Sequence, residues 1–210
     1  MEELLAAVEA AFAITSQGLE PWPDPHPDRV PLDDEYSRLS DPAKWRILGA
    51  RVDAWLVALV DAAVAHVSRD VPVRWRVEPA THVSRSDRVV ALAGGALPLI
   101  VAHSRLGGIE DAGVTLGVGD PATCVAWFPR CGCDACDSGS ESELDDVDRH
   151  LLAVVAGTFR RLTDGKREIT VLDDHGWSAS GQFHRRDVEA ILTDATGWDE
   201  LTGASWLTVR

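Results

Sequence analysis

Apolar positions at helical spacing open the chain, and a proline-rich segment follows them. Apolar residues recur along one side of residues 2–16, which predicts an amphipathic helix ended by Gly18. Residues 19–34 carry proline at every second position from 21 to 27, a pattern that excludes a helix. We expect an extended strap pinned to the surface by Trp22, in preference to a ligand for a proline-recognising groove.

The strongest helical pattern covers residues 42–68. Its apolar positions recur at intervals of three and four residues: Trp45, Leu48, Val52, Trp55, Leu56, Leu59, Val60 and Val64. Ser40 or Asp41 supplies the N-cap, and Pro42 suits the first turn. The same spacing predicts a second long helix over residues 143–162, where the acidic residues Asp145, Asp146 and Asp148 should face water, and a short helix near 185–196.

Around Trp75 the pattern changes to strict alternation, which is typical of a half-buried strand. Further strands are predicted at 87–92, 97–103, 114–118, 122–128, 167–172, 177–183 and near 204–209, with a turn at residues 173–176. Because these strands follow one another without crossover helices, the sheet should be mostly antiparallel. The prediction is a single α+β domain over residues 1–210, with a helical part at 1–70 and a sheet-rich part at 71–210. The sheet packs against the two long helices, with the strap outside.

Composition limits the partners and the compartment. The 210 residues are 45% hydrophobic and 26% charged, as in an ordinary globular protein. The chain has 20 basic and 34 acidic residues, so its net charge is −14. This charge argues against nucleic acid and anionic membranes and suits a basic protein partner. No long apolar run and no basic leader precede the first helix, so we expect a cytoplasmic protein. The sequence leaves the oligomeric state open.

Motifs for common enzyme chemistry are missing from the sequence. No phosphate-binding loop of the G-x-x-x-x-G-K-[ST] type occurs, and Gly117-Val-Gly119 is not a dinucleotide fingerprint, so no nucleotide cofactor is expected. The segment Gly176–Gly181 lacks the second glycine of a nucleophile elbow.

The sharpest chemical feature is a run of cysteines. Cys131, Cys133 and Cys136 form a C-x-C-x-x-C motif, in which Gly132 permits a sharp turn. Three thiols within six residues are a common way to build a tetrahedral metal site, with zinc as the leading candidate. Cys124, seven residues upstream, is proposed as the fourth ligand. The second paired knuckle of the usual zinc pattern is missing.

Other interpretations of this loop stay open. His150, His184 and His26 are alternative fourth ligands. Metal-free thiols, a redox pair at Cys133 and Cys136, and an iron–sulfur site completed by Cys124 compete with zinc. A disulfide such as Cys131–Cys136 is a further alternative, although it would be unusual in a reducing cytosol. Asp134 and Asp137 flank the motif, and their charge should raise the thiol pKa values, which disfavours a reactive thiolate without a metal.

Two stretches together resemble a known family. They are the proline-rich segment Pro21–Arg29 with its continuation Pro31–Arg38, and the run Cys131-Gly-Cys-Asp-Ala-Cys-Asp137. They resemble a family of actinobacterial proteins defined as a domain of unknown function, and the abundance of Ala, Gly, Val, Arg and Asp agrees with that origin. The resemblance covers most of the chain and implies no catalytic residue.

Three functional hypotheses follow. The first is a non-enzymatic, acidic protein-interaction module with a structural zinc at Cys131, Cys133 and Cys136; an inhibitor that captures a basic toxin or nuclease is one version of it. The second is a metal-dependent hydrolase that uses the same site. The third is a thiol redox protein. Whether the protein is an enzyme is not decided by the sequence.

Overall fold

The structure is a computed structural model that describes residues 1–173 and 176–207. The fold is α+β, as predicted, with mostly antiparallel sheets. Backbone contacts divide the chain into two compact units. The second consists of Ala93–Leu97 and the chain from Arg149 onward, and the first contains the rest. The prediction of one domain over residues 1–210 stays a prediction.

The helices of the described residues follow the predicted order. They are α1 (Glu2–Thr15), α2 (Arg46–Asp61), α3 (Ser140–Ala156) and α4 (Arg185–Thr193). A 3₁₀ turn at Pro42–Trp45 leads into α2, and a carboxylate oxygen of Asp41 accepts the backbone N–H of Ala43 at 3.2 Å. The predicted cap and the first-turn proline are therefore present.

The strands within the described residues form two sheets, where one was predicted. The strands are β1 (Ala65–Ser68), β2 (Trp75–Val77), β3 (Val83–Ala91), β4 (Leu99–Leu106), β5 (Ile109–Val118), β6 (Ala122–Phe128), β7 (Arg160–Thr163), β8 (Glu168–Asp173), β9 (Gly176–Ser180) and β10 (Asp199–Thr202). The first sheet has the order β1-β3-β4-β5-β6-β2, and the second has the order β10-β7-β8-β9. Only the pairing of β2 with β6 is parallel among those described.

The predicted helix over 42–68 is too long. Helix α2 ends at Asp61, and Ala63 adopts a left-handed conformation with φ +53° that turns the chain. The residues beyond the turn pair with β3 as strand β1. The last part of the predicted helix is therefore a short strand. Val60, near the end of α2, is 45% exposed, although the helical spacing placed it among the apolar positions.

The second long helix also differs from its predicted bounds of 143–162. It starts at Ser140 and ends at Ala156, where Gly157 has φ +76°. A Cβ at Gly157 would lie 2.5 Å from the backbone nitrogen of Ser205, so this close approach needs glycine. The segment predicted as the last helical turn is strand β7.

The end of the chain departs furthest from the prediction. The last described strand is β10, which pairs with β7, whereas the sequence predicted a strand near 204–209. Residues 208 and 209 of that predicted strand lie outside the described residues. So do Asp174 and His175 of the predicted turn at 173–176.

The core of the first unit lies between α2 and the first sheet. Trp45, Trp55, Ile100 and Leu116 are each at most 1% exposed. The second unit has its own small core of Leu162, Ile169 and Val188. Among the described residues, no helix is both long and apolar enough to cross a membrane.

Candidate metal centre

The three clustered cysteines lie on the loop between β6 and α3. Gly132 turns the chain with φ +84°, and a Cβ there would approach Leu106 to 3.0 Å. A short 3₁₀ turn at Asp134–Cys136 then folds the loop back, and the backbone N–H of Cys136 donates to the carbonyl of Cys133 at 3.1 Å. This tight local path directs all three thiols to one place.

Cys131, Cys133 and Cys136 have their sulfur atoms within 4.8 Å of one another. The Sγ atoms of Cys131 and Cys133 are 3.2 Å apart. Cys133 is buried, whereas Cys131 and Cys136 are exposed, and none of the three is in a disulfide. The C-x-C-x-x-C spacing therefore does form a compact thiol cluster.

Hydrogen bonds within the cluster separate the acidities of its thiols. Burial of Cys133 opposes ionisation, but hydrogen bonds from the Cys131 and Cys136 thiols and from two backbone amides outweigh it, so the pKa of Cys133 is lowered. The hydrogen bond to Cys133 raises the pKa of Cys136 to about 12. The arrangement favours one thiolate, at Cys133, supported by two thiols.

The carboxylates beside the cluster do not control it as expected. Asp134 accepts hydrogen bonds from the backbone N–H and the hydroxyl of Ser40, at 2.9 and 2.6 Å, and from Arg38 at 2.6 Å. Asp137 accepts from the Trp22 indole at 2.8 Å and pairs with Lys44. Burial and hydrogen bonds within the cluster set the thiol pKa values, so the pKa of Cys133 is lowered, against the expectation, while that of Cys136 is raised.

These two carboxylates attach the strap, which from here on includes its continuation through Ser40, to the cysteine loop. The backbone N–H of Trp22 also donates to the Ser140 hydroxyl at 3.1 Å, and its ring meets Trp45 edge-on at 5.3 Å. Residues 19–32 have neither helix nor strand, which agrees with the predicted extended strap, and a 3₁₀ turn at Asp33–Ser37 follows. The strap is thus held at Trp22 and again at Arg38.

The proposed fourth ligands are not part of the thiol cluster. Cys124 lies in β6, opposite Gly117, and does not belong to the group of three sulfurs. His26 has its side chain near Glu35, at 3.5 Å. His150 and His184 belong to the second unit.

A second polar cluster was not found by sequence reasoning. Ligand atoms of Asp53, Asp87 and His103 lie within 4.8 Å of one another. They come from α2, β3 and β4, so no spacing along the sequence could reveal them. The available signal was a histidine directly after the apolar run Leu99–Ala102, in a strand that is buried on both faces there.

The fold and the site define an α+β protein that carries a compact cysteine cluster on a surface loop. The chain belongs to the family of unknown function DUF6226, whose model matches residues 8–208. The resemblance in the strap and cysteine motifs is therefore confirmed, while the actinobacterial origin stays a prediction. Comparison with curated proteins and with solved structures gives no match.

Proposed function

We propose that the protein is a non-catalytic, acidic binding module and that a structural zinc ion at Cys131, Cys133 and Cys136 fixes its binding surface. The convergence of the three sulfurs within 4.8 Å carries the proposal. A tetrahedral zinc with bonds of about 2.3 Å to sulfur separates its ligands by about 3.8 Å. Small side-chain adjustments therefore suffice to bind the ion, and thiolate ligands are the type that zinc prefers.

The environment of the cluster favours a structural ion over a metal-dependent hydrolase. A hydrolase needs a general base beside the metal-bound water. The two nearest carboxylates in the sequence, Asp134 and Asp137, are engaged by the strap, and neither a carboxylate nor a histidine joins the thiols in the described group. A metal-dependent hydrolase is the alternative, and it requires the same zinc ion.

The strap supplies the surface that the ion would hold in place. Val30, Leu32 and Tyr36 are 81%, 62% and 57% exposed. Asp33 and Asp34 lie among them, and the whole chain has a net charge of −14. Apolar side chains with acidic neighbours suit a protein partner that offers basic and apolar residues together.

Metal content tests the zinc. Protein purified without chelators or a nickel column is analysed by plasma mass spectrometry, alongside titration of its thiols. We expect about one zinc per chain in the wild type and a large loss in Cys133→Ser. Cys124→Ser tests the fourth ligand: loss of zinc would identify Cys124 as that ligand, and retained zinc would exclude it. No metal, with all thiols reactive, would refute both zinc hypotheses.

Thiol redox activity is the second candidate, because the lowered pKa of Cys133 beside the thiol of Cys136 suits disulfide exchange. Oxidation would join the two sulfurs and release two protons and two electrons to a disulfide oxidant. Intact-mass analysis after glutathione disulfide treatment distinguishes the hypotheses. A reversible Cys133–Cys136 disulfide in metal-free protein supports the redox function, while zinc that protects the thiols supports the structural ion.

A direct binding experiment tests the module. Basic proteins from the same genome are passed over the immobilised chain at low and high salt, and the triple variant V30S/L32S/Y36S is compared with the wild type. We expect capture that salt weakens and that the triple variant loses. The control variant V57S/V60S/V90S changes three exposed valines outside the strap. Equal capture by wild type and triple variant would remove the strap from the proposal.

A further inference from the structure

A polar cavity in the first unit lies apart from the cysteine loop. Its volume is about 140 Å³, and it opens between the end of α1, the first turns of α2 and strands β3 to β5. The lining residues used below are Arg46, Gly49, Asp53, Arg85, His103 and Asp111. A cavity of about 150 Å³ holds benzene, so this one admits a ligand of roughly six heavy atoms.

The cavity contains a buried histidine whose ring nitrogens have no hydrogen-bond partner. His103 is 1% exposed, and both Nδ1 and Nε2 are unsatisfied within the described protein. Nδ1 lies 3.8 Å from an Asp111 carboxylate oxygen, too far for a hydrogen bond. Burial, with help from Arg85, lowers the pKa of His103, so the ring is neutral and offers one donor and one acceptor. Buried polar atoms seldom lack partners, which indicates a polar occupant.

The charges around the cavity balance in pairs. Arg46 and Arg85 supply two cations, and Asp53 and Asp111 supply two anions. The Arg46 guanidinium has no ion pair or hydrogen bond within the described part of the chain. Arg85 donates to Asp87 at 3.3 Å and reaches Asp111 at 3.6 Å. The lining therefore offers both signs of charge, with one cation unengaged.

A metal ion does not suit this place, although Asp53, Asp87 and His103 are close enough together to bind one. Arg69 donates to Asp53 at 2.9 Å and to Asp87 at 2.7 Å. Arg85 and the backbone N–H of Asp70 also donate to Asp87. Guanidinium groups already occupy the carboxylates and would repel a divalent cation.

We propose that this cavity binds a small amino acid in its zwitterionic form. Arg46, which has no partner among the described residues, faces the carboxylate. Asp111, whose ion pair with Arg85 is as long as 3.6 Å, faces the ammonium group, and His103 supplies a hydrogen bond at the buried end. A singly charged anion would leave Asp111 uncompensated, and this carboxylate would repel phosphate. The proposal is independent of the zinc site, and its failure would leave that site untouched.

The test uses thermal unfolding of the full chain with four probes: glycine, L-alanine, acetate and methylammonium. We expect a saturable rise of Tm with glycine and alanine and none with the two single-charge probes. Equal rises with acetate and glycine would overturn the zwitterion, and no rise with any probe would mean that the cavity holds water only.

Gly49→Ala fills the part of the cavity beside His103 with little risk to folding. Its Cβ would lie 3.6 Å from His103 Nδ1, an ordinary contact, and alanine is favoured in the interior of α2. We expect an unchanged or higher Tm without ligand and no response to alanine. Arg46→Ala should weaken glycine binding about tenfold, whereas Arg76→Ala, an exposed arginine in β2, is the control and should not. Unaltered binding in both Gly49→Ala and Arg46→Ala would overturn the proposal.

Discussion

The side chain of one residue, Asp134, joins the cysteine loop to the strap. Burial alone would raise its pKa, but hydrogen bonds from Ser40 and the Arg38 guanidinium lower it to about 2. The ordinary value in an unfolded chain is about 3.9. A lowered pKa in the folded state stabilises the fold above the unfolded value, and this contribution disappears as the pH falls from about 4 towards 2.

Asp134→Asn should therefore lower the free energy of unfolding at neutral pH, and the difference from the wild type should shrink below about pH 4. Urea unfolding at a series of pH values measures it, with chelator present so that acid release of a metal does not contribute. Asp28→Asn, on the exposed part of the strap, is the control. A difference that stays constant down to pH 2 would contradict the assignment.

Sequence reasoning at this scale found the residues whose partners are close along the chain. Cys131, Cys133 and Cys136 lie within six residues, so their spacing alone predicts their convergence. His103 and Asp53 lie fifty residues apart, and only the pairing of strands beneath α2 brings them together. The lowered pKa of Cys133 was not predicted, because it comes from hydrogen bonds that the folded loop makes to this sulfur, and a count of flanking charges does not include them.

At the scale of elements, one arginine connects three helices. Arg51 of α2 donates to Asp148 of α3 at 2.8 Å and pairs with Glu9 of α1, and its side chain is 7% exposed. The Trp55 indole donates to the same Asp148 at 2.7 Å. The sequence placed Asp148 among solvated carboxylates, because the helical pattern of α3 does not show which cation faces its first turns.

Arg51→Ala should lower the free energy of unfolding by about 3 kcal/mol, because it leaves the Asp148 carboxylate without its cation and leaves a space where the arginine side chain was packed. Chemical denaturation at neutral pH measures the loss. Arg105→Ala provides the comparison, because that arginine pairs with Glu110 while half exposed, and an exposed pair contributes no more than about 1 kcal/mol. Similar losses in the two variants would contradict a buried role for Arg51.

The strap depends on a glycine at the start of α3. Gly139 has φ +83°, and a Cβ there would lie 2.5 Å from the backbone nitrogen of Asp24. Gly139→Ala should therefore displace the strap and speed trypsin cleavage after Arg29. Gly165→Ala is a matched control, because its φ is +87° and nothing lies within 4 Å. Equal cleavage rates in the two variants would show that backbone strain alone accounts for any effect.

Element types were predicted well where patterns were long, and boundaries failed where two patterns met. The apolar positions of α2 run into those of β1, so the period of 3.6 hides the start of the strand at Ala65. Gly157 could have marked the end of α3, because a glycine after an apolar stripe is the usual C-terminal signal. The need for glycine there comes from Ser205, a contact no local pattern contains.

For the whole molecule, the excess of negative charge sets how stability responds to salt. A net charge of −14 on 210 residues makes the folded chain repel itself. Added salt screens this repulsion, and it also weakens the ion pairs, but exposed pairs contribute little each. The repulsion acts over the whole surface, so its screening should dominate.

We therefore expect Tm to rise as sodium chloride increases from low to physiological concentration and then to level off, because the screening length falls from about 30 Å at 0.01 M to about 8 Å at 0.15 M. Calorimetry at neutral pH measures the shift, and potassium chloride at equal ionic strength should give the same result. A variant with several exposed Asp and Glu changed to Asn and Gln should start at a higher Tm and respond less. A Tm that falls with salt would mean that networks such as Arg51 with Glu9 and Asp148 outweigh the repulsion.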